Sequence, residues 1–371
     1  MRIGIPHYGM MWVLWKRFFQ PFGVEVVIPP LNSHRALDLG TRYCPEMLCV
    51  PCKLLFGNYV EALEMGLDDL ALLGGDNTCR LGYSVQTSAA RLQELGYRFR
   101  PHSFDIFSPQ TEIYRLLREL ATPSLPALVQ AYRSLIRKVN LVEDLEKLAH
   151  RTRARELERG RTSAVYQGLL PEIAEAWTGD EIDDLRHKAE RLYGGVAQRE
   201  KAEPVRVAVV GDPYSMSEPF FNLGLEEDLG HLGAEVQRGF WLSNFTRETA
   251  LDRLRGRTHY AQVQQAAAPY VRWELGIFAR QTVGEAVLFA RGGIDGLIHV
   301  APFTCTPETV ARDIVPRVAR EWEVPLLTLT LDEHTGRQGQ QSRLEAFVDL
   351  LERRRRRRHR VVSPRAQVPS G

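Results

Sequence analysis

The chain has 371 residues, more than one ordinary core accommodates, so two domains are the default expectation. Hydrophobic residues make up 44% and charged residues 25%, the composition of a globular protein and not of a disordered or fibrous one. A net charge of +2, from 48 basic against 46 acidic residues, excludes a global bias towards nucleic acid, and no apolar run reaches the roughly 18 residues of a transmembrane helix.

Arg2–Pro6 reads as a short strand, Met11–Phe22 as a helix and Val24–Ile28 as a β-branched strand before Pro29-Pro30. The opening stretch resembles a signal peptide only superficially. Gly, Pro and His precede its apolar part, and Lys16 and Arg17 stand where a small-residue cleavage site belongs. Asn32 or Ser33 caps the next expected helix, which runs to about Gly40. Helix Leu54–Met65 and strand Leu70–Leu73 follow, an alternation that predicts a parallel α/β sheet.

From Ser108 to Lys201 the chain is charged and helical in period, with apolar stripes at Leu116, Leu117, Leu120, Leu135, Ile136, Val139, Leu145 and Leu148. At Val205 the α/β pattern restarts. Strand Val207–Val210 ends at Gly211-Asp212-Pro213, and a helix over Glu218–Leu232 leads to Gly233-Ala-Glu-Val. Phe22-Gly23-Val24-Glu25-Val26 and Leu232-Gly233-Ala234-Glu235-Val236 form a faint internal repeat. Helix Gly284–Ala290, strand Gly296–Val300, helix Pro307–Glu321, strand Pro325–Leu331 and helix Ser342–Glu352 complete the series. The expected fold is α/β. It has two Rossmann- or flavodoxin-like parallel-sheet lobes, 1–107 and 204–352, joined by a helical insert, 108–203. Residues 353–371, opening with six arginines Arg353–Arg358, read as a self-repelling disordered tail.

The five cysteines are the chemical signal. Cys44, Cys49 and Cys52 form C-x4-C-x2-C, while Cys79 and Cys305 stand apart in Pro- and Gly-rich surroundings. All five read as loop residues. An odd cysteine count in a large chain fits metal or redox work in a reducing compartment, so the expected location is the cytoplasm. Grouped thiolates suit an iron–sulfur cluster, and the first three follow the plant-type [2Fe–2S] spacing with Cys79 as a fourth candidate. A four-thiolate zinc site and a Cys49–Cys52 redox dithiol are the alternatives. Cys79 and Cys305 each follow a predicted strand, at the end where open α/β sheets build functional crevices. Two facing lobes therefore present Cys49, Cys79 and Cys305 to one shared cluster. Lys53 and Arg80, each directly after a cysteine, are candidate cations for stabilising thiolates and tuning the cluster. Asp332-Glu333-His334-Thr335-Gly336 is either a polar site at the same edge or a capped turn. Gly57-Asn58 reads as helix geometry. Neither G-x-x-x-x-G-K-[ST] nor G-x-G-x-x-G occurs, so nucleotide binding has no support.

Cys49-Val-Pro-Cys-Lys-Leu-Leu-Phe-Gly-Asn-Tyr-Val-Glu-Ala-Leu-Glu, the stretch Gly74-Gly75 to Cys79-Arg80-Leu81-Gly82-Tyr83, and Ala301-Pro-Phe-Thr-Cys305-Thr-Pro-Glu resemble the cysteine motifs of the 2-hydroxyacyl-CoA dehydratase-like proteins. These are also called CoA protein activase or acyl-CoA dehydratase activase-related proteins. Leu331–Gly336 and Arg343–Glu352 are similar to the family ending. The resemblance implies two α/β lobes holding a [4Fe–4S] cluster through Cys49, Cys79 and Cys305, with one iron open. It implies electron transfer at low potential, an actin-like ATPase activator with its own cluster as partner, and a CoA-thioester as substrate. The protein would then be a 2-hydroxyacyl-CoA dehydratase-like or ATP-dependent reductase component, as a homo- or heterodimer.

The chain departs from that pattern in three ways. Cys44 and Cys52 are additional, and could serve a larger cluster. The actin-like ATPase phosphate motif is missing, which makes this the electron acceptor and not the ATP-hydrolysing donor. Tyr270–Gly284 lacks the glycine- and histidine-rich character of relatives. The alternative function is a non-catalytic metal-binding or scaffold protein that docks a partner.

Overall fold

The computed structural model describes residues 1–74, 79–104, 109–120, 124–200, 202–247, 252, 254–273, 276 and 278–362. Its framework is two four-stranded parallel sheets built to one plan. β1 (Arg2–Gly4), β2 (Glu25–Val27), β3 (Asp69–Leu73) and β4 (Arg100–Phe104) lie in the order β2-β1-β3-β4. β5 (Val205–Gly211), β6 (Ala234–Arg238), β7 (Gly296–Pro302) and β8 (Leu326–Leu331) lie in the order β6-β5-β7-β8. The two lobes thus share one connectivity, and the faint repeat seen in the sequence marks their equivalent first turns. In each lobe the order reverses between the first and third strands. Crevices form there, beyond the carboxyl ends of the strands.

The first lobe packs α2 (His34–Tyr43) on α3 (Val50–Glu64). Ser33 is the N-cap of α2, its hydroxyl accepting from Ala36 N–H at 3.3 Å. The two helices approach through glycine. A Cβ on Gly40 would lie 2.0 Å from the Lys53 carbonyl oxygen, and one on Gly57 2.0 Å from that of Ala36. α3 is buried on all sides from Val50 through Leu63, with Lys53, Asn58 and Glu61 buried among its apolar residues, so it shows no single amphipathic stripe.

The expected helix Met11–Phe22 shortens to α1, Trp12–Trp15. Pro21 cannot donate to Arg17, so the chain continues in i→i+3 turns such as Phe18 N–H to Trp15 O and Phe22 N–H to Phe19 O, 3.1 Å each. The turns let Trp15, Phe18 and Phe19 form one aromatic cluster, with Trp15 5.3 Å edge-on from Phe104. The expected helix over Glu218–Leu232 is likewise broken. Asp212 caps α9 (Pro213–Ser217), Leu223 and Gly224 take left-handed backbone, and Asn222 Oδ1 accepts from Gly224 and Leu225 before α10 (Leu225–His231) begins.

Within the first lobe α4 (Ser84–Glu94) connects β3 to β4; the region between the lobes is helical, with α5 (Pro109–Leu120), α6 (Leu125–Arg153), α7 (Arg161–Glu175) and α8 (Gly179–Gly194). α6 packs on both lobes. Phe18 lies 6.1 Å from Tyr132, while Glu146 accepts from Arg238 at 2.8 Å and Glu143 accepts from Leu242 and Ser243 N–H at 2.7 Å. Buried Lys138 donates to Ala174 O at 2.8 Å, and burial lowers its pKa to about 8.

The second lobe is completed by α11 (Ser243–Thr246), α12 (His259–Ala267), α13 (Ala279–Arg291), α14 (Thr306–Glu321) and α15 (Arg337–Val362). α15 runs past the expected end at Glu352, so Arg353–Arg358 are helical and not a disordered tail. Arg353 pairs with Asp349 and Arg356 with Glu352 one turn back, and Arg355 reaches Glu203 and the Pro204 carbonyl. These partners offset the repulsion that the arginine run suggested. Among the described residues no helix is long and apolar enough to cross a membrane.

Candidate metal centre between the lobes

Four segments follow the first and third strands of the two sheets. They are Tyr8-Gly9 after β1, Cys79 after β3, Asp212 after β5 and Cys305 after β7. Each cysteine of the trio predicted from sequence stands at a helix N-cap: Cys49 before α3, Cys79 before the 3-10 turn Arg80–Tyr83, and Cys305 before α14. Free N–H groups and the helix dipole favour negative charge at such positions. Leu81 N–H lies 3.3 Å from Cys79 Sγ.

Four contacts join the loops. The Arg80 guanidinium donates to Met47 O, in the Cys44–Cys49 loop, and lies 3.4 Å from Thr304 O beside Cys305. Tyr8 meets Tyr214 edge-on at 5.1 Å, and Gly9 N–H donates to Glu218 Oε2 at 3.0 Å. Gly9 has a positive φ of 53°, and a Cβ there would lie 2.6 Å from Ser217 O, so glycine is required at this lobe junction.

The groups feel one another's charge. Burial raises the Cys79 thiol, with Cys49 and Asp212 adding to it. Burial likewise raises Cys305 strongly, with Asp212, Glu308 and Cys49 contributing. Cys49 is lowered, first through its hydrogen bond with Cys52. Cys52 is raised, by that hydrogen bond and by burial. Burial, followed by the Glu308 carboxylate, lifts Asp212 to about 7.

Cys44 caps the C-terminus of α2, and burial pushes its thiol up to about 12. Cys52 corrects the expectation of loop cysteines, because it lies inside the first turn of α3 and is buried. Its sulfur is 3.5 Å from that of Cys49. Among the described residues no group of three or more His, Cys, Asp or Glu converges on a single metal ion. Residues 75–78 of the second cysteine motif, and Glu274, Leu275 and Ile277 of the divergent segment, lie outside the described residues.

Lys53 is buried, its Nζ 2.7 Å from Glu333 Oε1, and its charge acts on the Cys44 thiol. The Asp332–Gly336 segment is a capped turn as well as a partner. Asp332 Oδ1 accepts from His334 N–H at 3.0 Å and from Thr335 Oγ1 at 2.7 Å. Asn58 Oδ1 accepts from His7 N–H at 2.9 Å, a structural role consistent with helix geometry.

Sequence reasoning missed Asp212, Tyr8, Tyr214 and the buried pair His299–Glu308. In that pair Nε2 to Oε2 is 2.7 Å, and Thr282 Oγ1 donates to Glu308 at 2.8 Å. Gly211-Asp212-Pro213 at a strand end was the available signal. Beside Tyr8 a cavity of about 60 Å³ opens towards α6, lined by Met10, Met11, Val142, Pro213 and Phe240 among others.

Residues 2–70 match the family described as the CoA enzyme activase uncharacterised domain. The match supports assignment to the CoA protein activase family. It spans β1 to the start of β3 and so includes Cys44, Cys49 and Cys52, whereas Cys79 and Cys305 lie beyond it. No curated protein matches the chain.

Proposed function

We propose that this activase-family protein is the electron-accepting iron–sulfur component of an ATP-dependent 2-hydroxyacyl-CoA dehydratase or low-potential reductase system, with a [4Fe–4S] cluster held by Cys49, Cys79 and Cys305. The reading is supported by three N-cap cysteines carried on loops of two lobes, which Arg80 links by donating to the Met47 carbonyl and lying 3.4 Å from that of Thr304, and by the charge that Cys49 exerts on Cys79 and Cys305. Thiols raised by burial and by one another lose their protons when bound to a cationic cluster, which relieves the repulsion.

When bound, the cluster supplies one-electron chemistry, and with three protein ligands it leaves one iron open. The chain's own groups shape what reaches that iron. Helix N-termini and Arg80 lend positive potential, which raises the reduction potential relative to a bare thiolate site. Asp212, held near neutrality of charge by burial, stands where it can retain or release a proton beside the cysteines. The proposed partner is an actin-like ATPase carrying its own cluster, which would supply the electron, and the proposed substrate is a CoA-thioester.

The test is iron and acid-labile sulfide per chain on anaerobically purified protein, with EPR after dithionite. The expected result is about four irons per chain, lost in Cys49→Ser, Cys79→Ser and Cys305→Ser. Full iron in all three variants, or zinc in place of iron, overturns the reading.

A further inference from the structure

Cys49 and Cys52 stand in a relationship that cluster binding alone does not use. Cys49 is the N-cap of α3 and Cys52 is the third residue of that helix, with Cys52 N–H donating to Cys49 O at 3.0 Å. N-cap and third-residue side chains face each other, the same geometry that a capping box exploits. Here the two side chains are thiols, and their sulfurs lie 3.5 Å apart. A disulfide bond of about 2.05 Å is within reach of a side-chain adjustment of roughly 1.5 Å. Pro51, in the first turn of α3, fixes the backbone between the two cysteines. Cys49 is partly exposed and Cys52 is buried, the asymmetry of an attacking and a resolving thiol. Cys44 is the C-cap of α2, at the other end of the loop in sequence.

We propose that Cys49 and Cys52 form a reversible dithiol–disulfide couple whose closure withdraws Cys49 from the cluster-binding set. The second half of this inference rests on the cluster reading above, while the first half does not. The oxidant is a small disulfide such as oxidised glutathione. The Cys49 thiolate attacks one of its sulfurs, that S–S bond breaks, and one glutathione thiolate leaves and takes up a proton. Cys52 then gives up its proton and attacks the Cys49 sulfur of the mixed disulfide, releasing the second glutathione. The two cysteines together lose two electrons and two protons, and the oxidant becomes two thiols. A chain in this state keeps Cys79 and Cys305 but offers no free sulfur at Cys49. Cluster assembly would therefore wait for a reducing environment.

The experiment uses the full-length, cluster-free protein equilibrated anaerobically in glutathione buffers of graded ratio. Remaining thiols are alkylated, and the Tyr43–Lys53 peptide is mapped by mass spectrometry. Because that peptide also contains Cys44, the variants Cys44→Ser and Cys52→Ser are run in parallel. The expected result is a Cys49–Cys52 link in the wild type and in Cys44→Ser. Cys52→Ser should show none and instead trap glutathione on Cys49. Oxidised and reduced wild type are then offered iron and sulfide, and the oxidised form should take up several-fold less iron until reductant is added. An unlinked wild type across all ratios, a link that survives Cys52→Ser, or equal iron uptake by both forms where the reduced form takes up iron, overturns the inference. If neither form takes up iron, the cluster reading falls, and the disulfide map still decides the couple.

Discussion

The ammonium of Lys53 lies 2.7 Å from the Glu333 carboxylate, joining the buried helix behind Cys49 to the turn after the last strand of the other lobe. Lys53 is almost wholly buried, so Glu333 is its means of remaining charged inside the protein. The pair acts as a clasp between lobes at a point set by the cysteine helix.

Glu333→Gln should destabilise the protein by about 3 kcal/mol, because it leaves a buried ammonium without its counter-ion. Burial alone would raise the Glu333 carboxyl, but the hydrogen bond and charge of Lys53 hold it below its ordinary value. A carboxylate lowered in the folded state stabilises above its unfolded pKa, and the contribution disappears as pH falls through the folded one. Urea denaturation of wild type between pH 3 and 6 should show that loss, and the variant should show less of it.

Asp212 carries the opposite sign. Its pKa of about 7 lies above the ordinary 3.8, so between those values the folded chain holds a proton that the unfolded chain releases. Stability of the cluster-free protein should therefore fall as pH rises from 4 to 7, and Asp212→Asn should remove a slope on the order of a few kcal/mol over that window. Asparagine keeps an oxygen for the N–H groups of Tyr214 and Ser215, so the cap survives. A variant with the wild-type slope would show that Asp212 does not titrate there.

Gly40→Ala should separate α2 from α3, since the added methyl meets the Lys53 carbonyl at 2.0 Å. Overpacking of backbone against backbone costs roughly 1–3 kcal/mol or more. The displaced Cys44–Cys49 loop should lower iron uptake as well, measured by colorimetric iron assay beside thermal unfolding.

Thr178→Ala removes a complete capping box. The Thr178 hydroxyl accepts from Glu181 N–H at 3.3 Å, while Glu181 accepts from Thr178 N–H at 2.9 Å. The loss should be about 1 kcal/mol. Because α8 is remote from the cysteines, iron content should stay at the wild-type level. A drop in iron would indicate that the helical insert governs the site.

Local chemistry is what the sequence reports well. The β-branched run at Val24–Ile28 and the apolar run at Leu70–Leu73 marked strands within a residue or two of their positions, and Ser33 marked a cap. The repeat around Gly23 and Gly233 marked two lobes whose strand order proves identical. The misses are places where one residue changes the balance. Pro21 turns an expected helix into i→i+3 turns, and left-handed Leu223 and Gly224 split another. At Arg353–Arg358 acidic partners on the same helix and at Glu203 keep the arginines in order.

The sequence by itself determined which atoms are available: five sulfurs, their spacing, and strands that alternate with helices. Those follow from covalent order and local periodicity. Only the tertiary structure decided that Arg80 links the Met47 and Thr304 carbonyls, that Asp212 and Cys49 lie near enough to Cys305 to act on its charge, that Lys53 pairs with Glu333, and that Cys52 faces Cys49 across the first turn of a helix. Such contacts depend on two separately folded sheets docking at their carboxyl edges. Burial there changes what each group does, and no local pattern records it.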